Sequence, residues 1–332
     1  MSEEVVCLPV RGIGEVRPGD DLADLLAAAA GLRDGDVLVV TSKVVSKAEG
    51  QVRTGSRAEL LAGQTDRVVA RRGPTTIVRT HHGLVMAGGG IDASNTTPGT
   101  AVLLPVDPDG SARALRERLA RDGGPNVAVV VTDTSGRAWR NGQTDIAIGV
   151  AGLDALHDYA GRVDGYGNPL VVTAPAVADE IAGAADLVKG KLDRRPAAVV
   201  RGLAELVLPR GSHGAGAGVL VRDERHDMFG LGAREAVCQA VRGVTDRGFG
   251  TAAPGGAVRE AMRELGVTPV LSADGDRIDV PLAAGDSPAD QRRAGALQAR
   301  LEALAVAHGW TATDRTGTTD TDISLRFSPV TP

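Results

Sequence analysis

The stretch Val127–Val131 is a continuous apolar run in which four of the five residues are valine. An unbroken β-branched run of this length reads as a strand buried on both faces, which calls for layers packed on either side of a sheet. It runs straight into Thr132-Asp133-Thr134-Ser135-Gly136, so the apolar signal stops at a carboxylate flanked by hydroxyls. A carboxylate at the carboxyl end of a buried strand points into the crevice where α/β proteins bind ligands. The alternative for Asp133, taken alone, is a turn or helix-capping aspartate.

A second run of the same kind, Val37–Val40, ends in Thr41-Ser42-Lys43. Around these two strands the apolar periodicity predicts helices over 22–30, 56–70, 111–121 and 176–189, and strands over 5–10, 103–106 and 197–200. Two short strands are expected around the turn His81-His82-Gly83, and the segment from Arg137 to Gly149 is too polar and glycine-studded for a plain element. Beyond about Phe249 the texture changes to a small-residue linker and a helix–strand–strand–helix–strand order. The expectation is therefore an α/β protein of mixed sheets with a small α+β C-terminal extension. Its domains are residues 1–248 and 249–332.

Composition removes several classes of function. Aromatic residues are 2% of the chain and the net charge is −5, which argues against a nucleic-acid binder built on basic and stacking side chains. No apolar run reaches the length of a membrane span. The opening Met1-Ser2-Glu3-Glu4 lacks a basic n-region, so no secretory signal is expected and a cytoplasmic location is. Two cysteines, Cys7 and Cys238, cannot form a disulfide framework or a cysteine-rich zinc site. Of 37 basic side chains only four are lysine, namely Lys43, Lys47, Lys189 and Lys191. In a chain that otherwise uses arginine, a retained lysine suggests a position needing a compact ammonium, with chance clustering as the alternative.

No GxxxxGK[ST] loop, GxGxxG turn, GxSxG elbow or HExxH helix is present. The chemistry-bearing residues are carboxylates and glycines instead. Gly88-Gly89-Gly90 precedes Asp92 and Asn95, a pattern in which glycine backbone can approach an anion and Asp92 can be a second metal carboxylate, an Asx turn being the plainer reading. Oxygen ligands of this type suit Mg²⁺ or Mn²⁺. Ser42 and Lys47 lie just past the strand 37–40, where a hydroxyl and an ammonium can hold phosphate oxygens, or form a solvent-facing turn. Arg137 and Arg140 are candidates for pairing with carboxylates or phosphates.

Five stretches together resemble the coenzyme F-420-0:L-glutamate ligases, or γ-glutamyl ligases. They are LPV at Leu8; GDVLVVTSKVVSKAEG from Gly35; GIDASN from Gly90; TDTSGRAWRNGQTDIAIGVAGL from Thr132; and DYAGRVDGYGNPLVVTAPAVADEIAGAADLVKGK from Asp158. HDMFGLG, from His226, is similar too. The likeness spans about residues 5–245. It implies an enzyme that uses GTP and divalent metal, Mg²⁺ or Mn²⁺, to join L-glutamate to the F-420-0 precursor, and then a further glutamate through a γ-linkage. It also implies a γ-glutamyl ligase-type fold and a homodimer.

By position, the resemblance makes Asp92 and Asp133 ligands of one metal and Thr134 a ligand of a second. Ile13, Gly14, Glu15, Val16, Ser42, Lys47 and Asn95 become GTP contacts. Lys47, Arg137 and Arg140 are the candidate catalytic side chains, the arginines as anchors for the anionic precursor or glutamate. A monovalent cation such as K⁺ is a further expectation. The glycine-rich loop Gly211–Gly218 falls where the family closes over the nucleotide, with Ser212 and His213 as its only side-chain candidates. Some bacterial members carry a long C-terminal FMN domain; the tail here is too short for it, so no flavin is expected. The alternatives are a ligase of the same fold for another carboxylate and amino acid, or a GTP-binding regulatory protein without catalysis.

Overall fold

The computed structural model describes residues 4–94, 96–224, 227–244, 249, 251–283, 285–319 and 322–330. The chain divides into two compact units, Met1–Val68 with Gly73–Val221, and Val69–Arg72 with Arg222–Pro332.

The first unit begins β1 (Val6–Val10), α1 (Leu22–Ala30), β2 (Val37–Thr41), α2 (Ser42–Ala48), β3 (Val52–Thr54) and α3 (Arg57–Gln64). Strand β4 (Thr65–Arg72) follows, its residues Val69–Arg72 counted with the second unit, then β5 (Thr75–Thr80), β6 (Val85–Ala87), β7 (Thr100–Val102) and α4 (Pro108–Leu119). The unit continues with β8 (Ala128–Arg137), β9 (Arg140–Ala151), α5 (Val177–Lys189) and β10 (Ala197–Arg201). Its central sheet has the order β1-β10-β2-β8-β9. Only β2 and β8 are parallel; the other pairings are antiparallel.

The two valine runs lie side by side at its centre, Val37 opposite Ala128 and Thr41 opposite Thr132. Their unbroken apolarity has the expected cause. Leu38, Val40, Val129 and Val131 pack with α1 and α4, while Val37, Val39, Ala128 and Val130 pack on α5. Helix α5 meets the sheet through Ala178, Ile181, Ala182 and Ala185, at helical spacing.

Local chemistry fixes the ends. Asp21 caps α1 by accepting from the Asp24 backbone N–H at 3.1 Å. Asp107 caps α4, with Pro108 in its first turn. The helix expected over 56–70 is half helix and half strand. Ser56 and Glu59 form a capping box that starts α3, but the chain leaves the helix at Gln64. The Thr65 hydroxyl donates to the Leu61 carbonyl at 2.6 Å, and the β-branched pair Val68-Val69 continues as β4. The polar segment after Arg137 is the rest of a long hairpin in which β8 and β9 reach beyond the buried sheet. Arg137 pairs with Arg140 at its tip, and Trp139 turns the chain at φ 67°. Leu103 and Leu104 are buried as expected, but the strand lies just before them, at β7.

The second unit comprises α6 (Ala233–Val241), α7 (Gly255–Arg263), β11 (Val270–Leu271), β12 (Ile278–Ala283), α8 (Pro288–Ala307), β13 (Trp310–Thr319) and β14 (Asp322–Pro329). Its antiparallel sheet runs β11-β12-β14-β13. Val258 and Met262 of α7 and Leu301 and Ala305 of α8 close a core over Ile278, Val280, Trp310, Leu325 and Phe327. The Trp310 indole N–H donates to the Ala253 carbonyl at 2.8 Å. Strand β13 has no apolar period and is absent from the sequence reading. Residues 222–248, expected with the first domain, cluster with the tail. Among the described residues no helix is long and apolar enough to cross a membrane.

Candidate active site

The parallel pairing of β2 with β8 sets the site. Because Thr41 lies opposite Thr132, the next residues, Ser42 opening α2 and Asp133 on β8, are neighbours where the parallel pairing ends. The Ser42 hydroxyl donates to Asp133 Oδ1 at 3.0 Å. Asp133 is the one residue of the site whose titration is displaced far. Burial pushes its carboxyl up to about 6, the nearby charges of Asp145 and Asp92 push the same way, and the Ser42 and Thr134 hydrogen bonds offset only part.

Asp92 arrives from a different direction. In Gly88-Gly89-Gly90 all three residues have positive φ, and Gly88 and Gly89 are buried. A Cβ on Gly90 would meet the Leu104 side chain at 2.7 Å. The glycine run thus serves close packing, and it delivers Asp92 into an antiparallel bridge with Val102, whose N–H and C=O it pairs at 2.8 and 3.0 Å. Lys43, the second residue of α2, forms an ion pair with Asp92 and donates to the Ser94 hydroxyl at 2.8 Å. Asp92 also accepts from the Ser94 backbone N–H at 2.6 Å. Burial raises the Asp92 carboxyl, but these contacts outweigh it and hold the group below its ordinary value.

Strand alternation places Thr132 and Thr134 on the opposite face of β8 from Asp133. There Asp145, directly across the ladder from Thr134, accepts from the Thr132 hydroxyl at 2.9 Å and the Thr134 hydroxyl at 2.8 Å. Lys189, the last residue of α5, donates to Asp145 Oδ2 at 2.6 Å and to Thr132 at 2.9 Å. Both partners are buried, at 3% and 4% exposure, so this ion pair is shut off from water. Burial works to raise the Asp145 carboxyl, and Lys189 with the two threonines more than reverses it. Lys191, two residues on and exposed, donates to the Thr134 hydroxyl at 2.6 Å.

On the other side of β2, Lys47 of α2 is buried and joined to Glu15 by an ion pair. Ile13 and Val16 point into the core, so any ligand contact from this segment is made by backbone or by Gly14 and Glu15. An open cleft of about 640 Å³ lies along Arg11–Glu15 and one face of α1, lined also by Asp20, Asp21 and Asp24.

Thus Glu15, Ser42, Lys47, Asp92, Asp133 and Thr134 sit around the ends of β2 and β8. Asn95 lies outside the described residues, as does His226. Arg137 and Arg140 are not brought to Asp133. They occupy the exposed hairpin tip, four residues or about 13 Å along β8, where Arg137 donates to the Asn141 carbonyl at 2.7 Å. Ser212 and His213 are further off, at the opposite end of β9 from Asp145. Arg116 binds the Ser212 carbonyl, Gly152 donates to the His213 carbonyl at 2.8 Å, and the His213 ring meets Glu117 at 3.2 Å.

Sequence alone singles out neither Asp145 nor a role for Lys43, Lys189 or Lys191. The signal that marks the three lysines was their rarity.

The donor set fits a hard divalent cation. Among the described residues no three His, Cys, Asp or Glu side chains form a metal cage. Asp92 and Asp133, the second raised chiefly by burial and further by the charges of Asp145 and Asp92, match a cation that takes its other ligands from water and substrate phosphates. The Thr134 hydroxyl, its proton given to Asp145, keeps a lone pair beyond the one Lys191 uses.

A family model described as F420-0:Gamma-glutamyl ligase matches residues 12–60 and 54–202. Proteins named "Coenzyme F420:L-glutamate ligase" are similar over the same region. The protein of Archaeoglobus fulgidus is 42% identical over 219 residues, which is 60% of this chain and 88% of the relative. That of Methanopyrus kandleri is 42% identical over 237 residues, 65% and 93%. That of Haloarcula marismortui is 39% identical over 252 residues, 68% and 96%.

Proposed function

The chain belongs to the F-420-0:γ-glutamyl ligase family, and from that premise we propose that it joins L-glutamate by its amine to a carboxylate of coenzyme F-420-0, at the expense of GTP and with a divalent cation. The observation that carries the reading is Asp133. A largely enclosed carboxylate raised to about 6, where the central parallel pairing ends and near the charges of Asp92 and Asp145, is the kind of displaced group that functional sites hold.

A carboxylate does not react with an amine because its oxygen will not leave. In the proposed reaction an acceptor carboxylate oxygen attacks the γ-phosphorus of GTP. The bond from that phosphorus to the β,γ-bridging oxygen breaks, and GDP departs with the electron pair. The glutamate amine, as free base, then attacks the acyl carbon. The carbon–oxygen bond to phosphate breaks, inorganic phosphate leaves, and the amine proton passes to solvent. A further γ-linked glutamate repeats the cycle.

Phosphoryl transfer of this kind needs positioning and charge neutralisation more than covalent help. Asp92 and Asp133 would hold one divalent cation, Mg²⁺ or Mn²⁺, and Thr134 a second. When bound, these cations supply charge neutralisation at the phosphate oxygens. Ser42 fixes the rotamer of Asp133, and Asp145 orients the Thr134 hydroxyl. Lys47 exchanges Glu15 for a phosphate oxygen, and the Gly14–Glu15 backbone beside it is read as a nucleotide contact. A homodimer is part of the reading. Tyr166, Val172 and Leu192 are each more than 90% exposed in the first unit, apolar surface that a second copy would cover. Sedimentation at micromolar concentration giving only monomer would remove that part.

The test of the whole reading is mass spectrometry of F-420-0 incubated with protein, GTP, Mn²⁺ and L-glutamate. The expected product is heavier by one or more glutamyl residues, with matching GDP. Unchanged F-420-0 refutes the ligase, and equal turnover with ATP alone refutes the nucleotide assignment.

A further inference from the structure

Three of the chain's four lysines are matched to a carboxylate: Lys43 to Asp92, Lys47 to Glu15 and Lys189 to Asp145. Lys191 is the exception. Among the described residues no carboxylate pairs with it, and its ammonium is held at the site by the neutral hydroxyl of Thr134. Nor can Asp145 serve it, because Lys189 already neutralises that group inside the protein. The lysine is placed deliberately by backbone. Gly190 ends α5 at φ 62°, a conformation that favours glycine. The turn sends Lys189 into the core at Thr132 and Lys191 to the rim at Thr134.

Geometry says which anion this charge faces. Ser42 and Asp92 approach Asp133 on one face of β8, and Lys47 follows Ser42 on the same helix. Thr134 and Lys191 lie on the other face, one residue along. In-line displacement at phosphorus needs the leaving nucleotide and the attacking oxygen on opposite sides of the transferred group. With the nucleotide read on the Ser42 side, the attacking group must be held by another charge, and Lys191 is the exposed ammonium at the rim that no carboxylate among the described residues already occupies. We propose that Lys191 is the anchor for the acceptor carboxylate, binding the carboxylate-ended substrate and holding its oxygen toward the γ-phosphorus. This rests on the ligase reading above, and it assigns to Lys191 the task the sequence suggested for Arg137 and Arg140.

The experiment uses full-length protein and the variants Lys191→Met and Lys191→Arg, in two readouts. Binding of F-420-0 is measured by its fluorescence in the absence of GTP, and initial rates are measured over separate ranges of F-420-0, glutamate and GTP. Lys191→Met is expected to weaken F-420-0 binding and raise its KM about tenfold or more, as loss of a charged hydrogen bond does. GTP binding by calorimetry should stay within about twofold, and Lys191→Arg should recover part of the loss. Unchanged F-420-0 binding and KM in Lys191→Met overturn the assignment, as does a loss that falls on GTP or glutamate instead. The two readings fail separately. A wild-type protein that binds F-420-0 through Lys191 yet makes no product overturns the ligase and keeps the anchor. One that binds no F-420-0 overturns both.

Discussion

Replacing Asp133 by asparagine should make the metal-free protein more stable while removing its activity. The carboxyl is raised from an ordinary value of 3.8 to about 6, chiefly by burial. At about 1.4 kcal/mol per pKa unit, the ionised form costs the fold about 3 kcal/mol. The sign follows from proton binding. Between about pH 4 and 6 the folded state binds the proton that the unfolded state has released, so this group's contribution to stability falls as pH rises through that window and stays low above it. Asparagine keeps the shape and an oxygen to accept from Ser42, without the charge. Urea unfolding in EDTA should show Asp133→Asn ahead by about 2–3 kcal/mol at pH 7.5, with the advantage gone near pH 4. Adding Mn²⁺ and GTP at about 1,000 times their Kd should reverse the order, because a ligand at that excess stabilises the wild type by about 4.1 kcal/mol and the variant cannot hold the cation. A variant that is less stable than wild type at pH 7.5 in EDTA, or a difference that does not change with pH, would refute the reasoning.

Lys189→Met leaves Asp145 buried without its ion-pair partner and should cost about 3–5 kcal/mol in thermal or urea unfolding, whereas Lys189→Met with Asp145→Asn should regain most of it. A double variant no better than the single one would show that the pair is not what the fold depends on. Gly90→Ala must hold φ 70° and push against Leu104, so a loss of about 2–4 kcal/mol is expected, together with weaker Mn²⁺ binding as Asp92 shifts; a melting temperature within a degree of wild type counts against the packing account. Lys47→Ala should lower GTP affinity measured by calorimetry at least tenfold with F-420-0 binding intact, and an unchanged GTP isotherm would remove Lys47 from the nucleotide site.

What could be read from the sequence was whatever depends on one strand or helix alone. The valine runs announced β2 and β8 because burial on both faces leaves no polar positions, and Asp133 stood out because it ends such a run. Helix α1 was legible over about 22–30, and in the structure Asp21 and Gly31 hold its ends. The strand after Gln64 was not, because its half-buried alternation overlaps a helical spacing, and β13 was not, because threonine and aspartate carry no apolar period. The site was legible only in its individual members. Which of them touch depends on a register, Thr41 against Thr132, that no local pattern encodes.

The lysines show how far a local signal can carry when the pairing is hidden. Rarity marked four positions without saying what each was for, and it favoured Lys47. The structure separates them by partner. Lys189 is spent inside the protein, balancing the carboxylate that orients Thr132 and Thr134, so its loss is expected in stability before it is expected in rate. Lys43 and Lys47 are themselves largely covered but sit on carboxylates that are 41% and 71% exposed at the side chain, so water reaches the acid of each pair. Among the described residues Lys191 is held by a hydroxyl rather than a carboxylate. Under the proposed reading, the acidic chain meets its nucleotide and its anionic acceptor with three ammonium groups at the site and one fixed in the core. Net charge says nothing of this, because what binds the anions is how loosely each positive group is already engaged.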